Sequence, residues 1–294
     1  MVTLMKLEFV KMEGCGNDYV YVDCVGGQPY IPDKSKLARS ISDRHFGVGG
    51  DGLIFVNKSD IADFEMEMYN ADGSRGEMCG NGIRCVAKLV YDRGYAMTEK
   101  FTIESMGAVK YITVTAENGK AVEISVDMGE PILEPEQIPA KLPGKAAKAV
   151  KVPITTADLY AEFTGVSMGN PHAVIFMDSV KGYGGKLANM PLESFGPEFE
   201  NHKFFPARVN TEFVEVTDRR NVNMRVWERG TGETLACGTG CCATCVAGVL
   251  TGKTDREVTV HVRGGDLKIH WNETDNHIYM TGPAREVFTG LIDV

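Results

Sequence analysis

The chain carries one pattern twice, first as FEMEMYNADGSRGEMC over residues 64–79 and again as VNMRVWERGTGETLAC over residues 222–237. A constant offset of 158 residues, about half of the 294-residue chain, separates the two copies. Each copy reads as a strand, a glycine-rich turn and a cysteine, and small and apolar residues at helical spacing follow. The duplication therefore predicts two similar halves, with Cys79 or Cys237 standing just ahead of a helix in each.

Weaker repeats extend the duplication. Gly16-Asn17 before YVYVD corresponds to Gly169-Asn170 before AVIFMD, and MGEP at 128–131 corresponds to TGP at 281–283. Glycine is the usual helix-stopping residue, so we expect the first helix to end at Gly94 and the second between 248 and 252.

Between the repeats the sequence favours strands and hairpins. Asn118-Gly119 joins two β-rich runs, 108–115 and 121–127, which is a strong type I′ hairpin signal. A second pair of strands is predicted at 267–271 and 277–280. Five prolines over residues 131–153 indicate an irregular connection between the halves.

These observations predict an α+β fold of two pseudo-symmetric domains, each with β-strands wrapped around a central α-helix. We expect an active site in the cleft between them, with one cysteine on each wall. The predicted first domain comprises residues 1–128 with the C-terminal tail 284–294, and the second comprises residues 129–283.

Composition excludes several function classes. The formal charge is −9 and the pI about 5.3, without a basic stripe, which argues against a nucleic-acid partner. No segment approaches the roughly eighteen apolar residues of a membrane span, and residues 1–14 lack the apolar core of a secretory signal. We therefore expect a cytoplasmic enzyme whose eight cysteines are thiols, acting on a small molecule.

Two cysteines at two helix starts suggest inversion of a stereocentre without a cofactor. The helix dipole and the first backbone N–H groups are expected to lower the pKa of each thiol. Inversion needs a base on one face of the carbon and an acid on the other. The N–H groups of Gly80-Asn81 and Gly238-Thr239 would hold the charge that develops on the substrate carboxylate. The remaining cysteines, such as Cys85 and Cys245 on the helix bodies, read as small buried hydrophobes.

The chain resembles the diaminopimelate epimerase family. The resemblance rests on MCGNGIRC (78–85) and ERGTGETLACGTG (228–240), and it covers nearly the whole chain. The other matching segments, in the family's order, are GCGNDYVYVD (14–23), RHFGVGGDGLIFV (44–56), YNADGS (69–74), MGNPHAVIF (168–176), RVNTEF (208–213) and MTGPA (280–284).

The resemblance implies an isomerase that interconverts LL- and meso-diaminopimelate, in the biosynthesis of lysine and of peptidoglycan precursors. It also implies a homodimer that needs neither pyridoxal phosphate nor a metal. Carried over by motif, Cys79 and Cys237 are the base and acid pair, with His172 and Glu228 as their respective partners.

The same resemblance implies the residues that bind the substrate. An amino-acid group at the distal end of the substrate calls for a bidentate cation, which Arg229 would supply, and for amide oxygens that accept from its ammonium. The implied set is Asn17, Asn70, Gly80, Asn81, Asn170, Asn210, Glu228, Arg229, Gly238 and Thr239. One position departs from the pattern, because Gly52 stands where many members have a glutamine that contacts the site.

Two alternatives remain open, and one motif is set aside. A proline or hydroxyproline racemase shares the two-cysteine architecture, although Asn81 and the ERG segment favour the diaminopimelate reading. A metal-binding protein could use Cys237, Cys241, Cys242 and Cys245, but one helix does not easily supply a zinc site. The GxGxxG match at 47–52 has a predicted helix before it and a strand after it, the reverse of a dinucleotide site.

Overall fold

The computed structural model describes residues 6–27, 30–76, 79–144 and 146–294. The chain divides into two compact units, unit 1 with Met1–Asp127 and Thr281–Val294, and unit 2 with Met128–Met280. The sequence predicts breaks after 128 and 283, and this division falls after 127 and 280. Strands predominate and the helices are few, which confirms the predicted α+β class.

Unit 1 is built on a sheet that runs in the order β17–β1–β2–β3–β4–β5–β6–β7. Two helices lie between its strands along the chain. The elements are β1 (Lys6–Gly14), β2 (Asn17–Asp23), α1 (Lys34–Ser42), β3 (Gly52–Asn57), β4 (Phe64–Asn70), α2 (Gly80–Asp92), β5 (Lys100–Ser105), β6 (Ala108–Glu117), β7 (Lys120–Asp127) and β17 (Arg285–Asp293).

Unit 2 has a sheet in the order β8–β9–β10–β11–β12–β14–β15, with the short β13 also paired to β12. The elements are β8 (Val152–Thr155), β9 (Tyr160–Ser167), β10 (Pro171–Phe176), α3 (Leu192–Glu200), β11 (Asn210–Asp218), β12 (Asn221–Glu228), β13 (Gly232–Thr234), α4 (Gly238–Leu250), β14 (Glu257–Val262), β15 (Gly265–Trp271) and β16 (Ile278–Gly282).

The pairing pattern repeats between the units. From β1 to β6 the neighbours pair antiparallel, parallel, antiparallel, parallel and antiparallel. From β9 to β15 the same alternation recurs. In each unit one helix follows the second strand of this series and another follows the fourth. The internal duplication seen in the sequence is therefore a duplication of topology.

Helix ends and turns follow the local sequence closely. Gly94 and Gly252 adopt positive φ angles of 75° and 73° two residues beyond α2 and α4, where glycine alone avoids strain. Asn118 and Gly119 both have positive φ, at 51° and 75°, as a type I′ turn between β6 and β7 requires. The GxGxxG stretch has α1 before it and β3 after it, the predicted order that argues against a dinucleotide site.

Each sheet is covered on both faces. In unit 1, Leu37 and Ile41 of α1 pack with Val20 and Phe55 on one face. On the other face the Tyr21 hydroxyl reaches the Gly82 carbonyl of α2 at 3.4 Å. Because side chains alternate across a strand, this double cover explains the nearly continuous apolar runs of β2 and β3.

Unit 2 repeats this arrangement, with α3 on one face of its sheet and α4 on the other. Phe213 of β11 meets Phe199 of α3 edge to face, with ring centroids 5.5 Å apart. The neighbouring residue of β11, Glu212, lies against Gly240 of α4. The sequence did not predict α3, which contains Gly196 and Pro197 and therefore lacks an ordinary helical composition.

None of the helices among the described residues is long and apolar enough to cross a membrane.

The predicted irregular connection between the two halves is also found. Apart from residue 145, which is not described, residues 131–151 form no strand or helix and only an isolated bridge at Ile132.

Gly196→Ala is expected to destabilise unit 2. An added Cβ would lie 2.2 Å from the Trp227 ring, so α3 or the indole must shift. Such overpacking costs about 1–3 kcal/mol, which exceeds the roughly 1 kcal/mol that alanine gains over glycine in a helix. Urea denaturation measures the free energy of unfolding. Gly184→Ala, whose Cβ would meet nothing within 4 Å, is the control. A Gly196→Ala protein at least as stable as wild type would contradict this packing.

Candidate active site

Cys79 caps the N-terminus of α2. Its extended backbone, φ −123° and ψ 107°, breaks the helix, and its Sγ accepts from the Gly82 backbone N–H at 3.2 Å. The thiol also donates to Asn17 Oδ1 at 3.0 Å. Two predicted site residues of unit 1, Asn17 and Cys79, are thus in direct contact.

Asp51 fixes the orientation of the Asn17 amide. Asn17 Nδ2 donates to Asp51 Oδ2 at 2.7 Å, and an ionised carboxylate can only accept. The NH₂ end of the amide must therefore face Asp51, which leaves Oδ1 facing the thiol. The Cys79 sulfur therefore faces an acceptor on Asn17 and a donor on Gly82.

Asp51 belongs to a larger charged network. Arg44 donates to Asp51 at 2.9 Å and to both carboxylate oxygens of Asp18, and Lys11 pairs with Asp18 at 2.5 Å. Burial acts to raise the pKa of Asp18, but the hydrogen bonds from Arg44 and Lys11 outweigh it and hold that pKa below the ordinary value. The network anchors the start of β2, where Asn17 lies.

Arg84 organises the first turn of α2. It is fully buried and donates to the Gly80 carbonyl at 3.1 Å, to Asn81 Oδ1 at 3.0 Å and to the Pro283 carbonyl at 3.1 Å. The side chain of Asn81, which is predicted to contact substrate, is thus fixed by a charge-assisted hydrogen bond from Arg84. Met78 of the same motif lies outside the described residues.

The other two predicted contacts of unit 1 have simpler surroundings. Gly80 is the first residue of α2. Asn70 ends β4, and its amide donates to Ser74 Oγ at 3.0 Å. At the departing position, Gly52, an added Cβ would lie 2.1 Å from the Tyr69 carbonyl oxygen. A side chain here would therefore require β3 and β4 to move apart.

Cys237 occupies the equivalent position in unit 2, as the N-cap of α4. Its backbone angles, φ −119° and ψ 108°, nearly match those of Cys79. The thiol is only 6% exposed and lies 3.5 Å from the Thr239 hydroxyl. Gly238 begins the helix beside it.

His172 lies in a fully buried pair with Glu212. Its Nδ1 is 2.6 Å from Glu212 Oε1, and its Nε2 is 3.0 Å from Asn170 Oδ1. One donor atom from each of His172, Glu212 and Cys237 falls within a 4.8 Å cluster. The structure thus places His172 beside Cys237, and its assignment as the partner of Cys79 stays a prediction.

The remaining predicted residues of unit 2 line the ends of β11 and β12. Asn210 begins β11 opposite His172, and its Oδ1 accepts from the Arg229 backbone N–H at 2.8 Å. Arg229 is exposed, and its guanidinium reaches the Ala207 carbonyl at 3.1 Å. Glu228 ends β12 and accepts from the Thr234 hydroxyl at 2.5 Å.

The expected fall in thiol pKa is wrong for Cys237. Burial, followed by the carboxylates of Glu228 and Glu212, raises the pKa of this thiol well above its ordinary value, against small lowering contributions from Thr239 and the Gly240 N–H. A helix terminus contributes at most about 2 kcal/mol, whereas full burial shifts a pKa by up to about 3–5 units. Desolvation and like charge therefore outweigh the helix dipole.

The cluster around His172 resembles a metal ligand set, but its geometry is that of a hydrogen bond. Ligands about 2.1 Å from a tetrahedral metal lie about 3.4 Å from one another. The 2.6 Å between His172 Nδ1 and Glu212 Oε1 is far shorter and fits a shared proton. Among the described residues, Cys241, Cys242 and Cys245 belong to no candidate metal cluster, contrary to the metal alternative. None of the eight cysteines forms a disulfide.

Three organising residues were not singled out from sequence: Asp51, Arg84 and Glu212. Arg84 and Glu212 carry a usable signal, because each is a charged residue among buried neighbours, in the first turns of α2 and in the first half of β11. Asp51 lies in a glycine-rich turn, where an aspartate is ordinary, and its contact with Asn17 spans 34 residues. The role of Asp51 in orienting Asn17 is therefore visible only in the folded structure.

Solved structures share this fold. A hydroxyproline epimerase from Agrobacterium vitis matches with a TM-score of 0.70 at 12% identity, covering 98% of this chain and 93% of that one. A PhzF-family phenazine biosynthesis protein from Bacillus anthracis matches with a TM-score of 0.67 at 15% identity, covering 99% and 100%. At such low identity these likenesses show the fold alone.

Sequence relatives are far closer. A protein of Agathobacter rectalis named diaminopimelate epimerase is 51% identical over 98% of this chain and 100% of its own length. One of the same name from Methanococcus maripaludis is 50% identical, again over 98% and 100%. The diaminopimelate epimerase family model matches residues 9–134 and 164–287, which include both capping cysteines. The chain therefore belongs to the diaminopimelate epimerase family.

Proposed function

We propose that this protein interconverts LL- and meso-diaminopimelate by proton transfer at one α-carbon, with Cys79 and Cys237 acting on opposite faces. The observation that carries the proposal is that a cysteine caps the equivalent helix in each unit. The chain is also about 50% identical to relatives named diaminopimelate epimerase, over nearly their full length. The duplicated position suits two residues that exchange the roles of acid and base.

The chemical step balances without a redox partner. One cysteine, as thiolate, takes the α-proton and becomes a thiol, and the electron pair left on carbon spreads onto the adjoining carboxylate. The other cysteine, as thiol, delivers its proton to the opposite face and becomes the thiolate. The reverse reaction uses the same groups with exchanged roles. A raised pKa makes the Cys237 thiolate a stronger base, which suits the weakly acidic C–H bond.

The first helical amides supply the stabilisation that this step needs. The N–H groups at the start of α2 and of α4 have no acceptor within their own helix, and they favour negative charge. Loss of one such donor typically costs a factor of about 10²–10³ in kcat. We assign this role to Gly80, Asn81, Gly238 and Thr239.

We assign the distal end of the substrate to the exposed Arg229 and to the amides of Asn17, Asn70, Asn170 and Asn210. Among the described residues, the Arg229 guanidinium donates only to the Ala207 carbonyl, through Nη1, so it keeps donors available for a bidentate carboxylate. Glu228, whose charge raises the pKa of Cys237, and His172 are proposed as partners that tune proton transfer.

We also propose a cytoplasmic homodimer that works without pyridoxal phosphate or metal, in the biosynthesis of lysine and of peptidoglycan precursors. Support for the dimer comes from β17, where the apolar side chains of Val287, Phe288 and Leu291 are 46–54% exposed. Phe288 and Leu291 are three residues apart and therefore lie on opposite faces of β17. Exposed apolar side chains on both faces of one strand are the kind of surface that protein interfaces cover. Eight cysteines without a disulfide suit the reducing cytoplasm.

Cys79→Ala and Cys237→Ala should each abolish epimerisation, because each removes the only acid or base on one face of the carbon. Losing such a group typically costs about 10²–10⁴ in rate, so we expect under about 1% of wild-type kcat. Chiral chromatography of LL-diaminopimelate incubated with dialysed protein, without added cofactor, measures meso product. Cys24→Ala, which removes a half-buried thiol outside the site, is the control and should retain full activity.

The same assay with free proline tests the racemase alternative. Racemisation of proline faster than epimerisation of diaminopimelate would overturn the proposed substrate. More than a few per cent of activity in either cysteine variant would instead overturn the two-thiol mechanism.

Glu228→Gln should lower the pKa of Cys237. Removal of a nearby negative charge makes the thiolate easier to form, so the pH profile for alkylation should move to lower pH. Iodoacetamide labelling across pH, read by mass spectrometry of the Cys237 peptide, measures this shift. Glu215→Gln, an exposed charge removed from the neighbouring strand β11, is the control. A profile that is unchanged or moves to higher pH would contradict the assigned cause.

The wild-type protein should sediment as a dimer of about twice its 32.1 kDa chain mass. Phe288→Glu places a charge at a half-exposed position of β17 and should shift the equilibrium towards monomer, because desolvating an unpaired charge in an interface is costly. Analytical ultracentrifugation over a concentration series measures both. Tyr111→Glu, at a 64% exposed aromatic residue on β6, is the control. A monomeric wild type, or a dimer indifferent to Phe288→Glu, would overturn this interface.

A further inference from the structure

We propose that Glu212 is a positioning residue of the reaction, which holds the Nδ1 proton of His172 and thereby fixes the imidazole beside Cys237. The inference rests on the proposed function for its kinetic consequences. Its structural core, a carboxylate that sets the protonation of one ring nitrogen, can be tested without any turnover.

Hydrogen-bond polarity supports the first step. We take Glu212 as ionised; an ionised carboxylate can only accept, and the 2.6 Å contact then places a proton on His172 Nδ1. With Nδ1 so held, the ring cannot rotate without breaking a charge-assisted bond. Its Nε2 then stays directed at Asn170, 3.0 Å away, in the segment assigned to substrate binding.

The surroundings of Glu212 argue against a purely structural role. Both Glu212 and His172 are 0% exposed, and Glu212 Oε2 has no hydrogen-bond partner among the described residues. A buried polar atom without a partner typically costs about 1–3 kcal/mol. An apolar or fully bonded side chain would stabilise this strand better, so a carboxylate retained here points to function.

The start of α4 is shaped around this carboxylate. A Cβ on Gly240 would lie 2.6 Å from Glu212 Oε1, so the helix can approach only because residue 240 has no side chain. That turn of α4 also carries Cys237, whose raised pKa owes part of its shift to Glu212. The carboxylate, imidazole and thiol thus form one compact set in which the carboxylate sets the geometry of the other two.

Loss of a carboxylate that orients a histidine is expected to lower kcat strongly and to change the affinity for substrate little. In serine proteases, loss of the carboxylate that holds the histidine tautomer lowers kcat by about 10⁴. Here His172 supports a thiol that is itself the acid or base, so we expect a smaller factor.

The direct test is nitrogen-15 NMR of the imidazole groups in protein labelled at histidine. His172→Gln assigns the His172 resonances among those of the six histidines. We expect Nδ1 of His172 to be protonated and its proton to resonate far downfield, as in a strong bond to a carboxylate. A His172 ring protonated only at Nε2 would overturn the proposal. This outcome is independent of activity, so it is distinguishable from failure of the proposed function.

Kinetics of Glu212→Gln and Glu212→Ala give the second test. Both should lower kcat by on the order of a hundredfold, with KM changed by less than about threefold. Glu212→Gln should also weaken the downfield His172 resonance while keeping an unfolding temperature within a few degrees of the Glu215→Gln control. An unchanged kcat in Glu212→Gln would overturn the proposal. So would a loss of activity that accompanies unfolding while the His172 resonance of the remaining folded protein is unaltered.

Discussion

The backbone N–H groups at the start of a helix lack partners within that helix, and the rest of this molecule is arranged around two such starts. A cysteine caps each one, Cys79 ahead of α2 and Cys237 ahead of α4, with almost the same backbone angles. Both helices follow the fourth strand of an identical pairing series and are buried against that sheet. A duplicated fold thus places two thiols at equivalent positions of the backbone, which suits the proposed exchange of acid and base roles.

The electrostatics of the two caps differ more than their geometry. Asn17 accepts from Cys79 and is itself oriented by Asp51, whereas Cys237 lies among the carboxylates of Glu228 and Glu212. At Cys237, burial and like charge outweigh the helix dipole and favour the protonated thiol. The helix start therefore does not by itself ionise the Cys237 thiol.

Much of the fold could be predicted from local signals in the sequence. The ends of α2 and α4 and the Asn118-Gly119 hairpin were predictable because each depends on residues adjacent in the chain. The duplication was predictable because the same residue pattern recurs in the sequence. The helix α3 was not, since Gly196 and Pro197 hide it and packing against Trp227 stabilises it. Contacts between distant residues, such as Glu212 with His172, were equally hidden. The pKa of Cys237 was mispredicted because burial depth and the approach of two carboxylates are properties of the tertiary structure.

The proposed mechanism requires an acid and a base on opposite faces of one carbon. Proton NMR of LL-diaminopimelate with dialysed protein in deuterated buffer follows both the unreacted substrate and the first meso product. We predict that early meso product carries deuterium at the inverted carbon while the remaining LL substrate keeps its protium, because the incoming proton derives from a second, solvent-exchanged thiol. Meso product that retains the original protium, or substrate that exchanges without inversion, would contradict the two-cysteine mechanism.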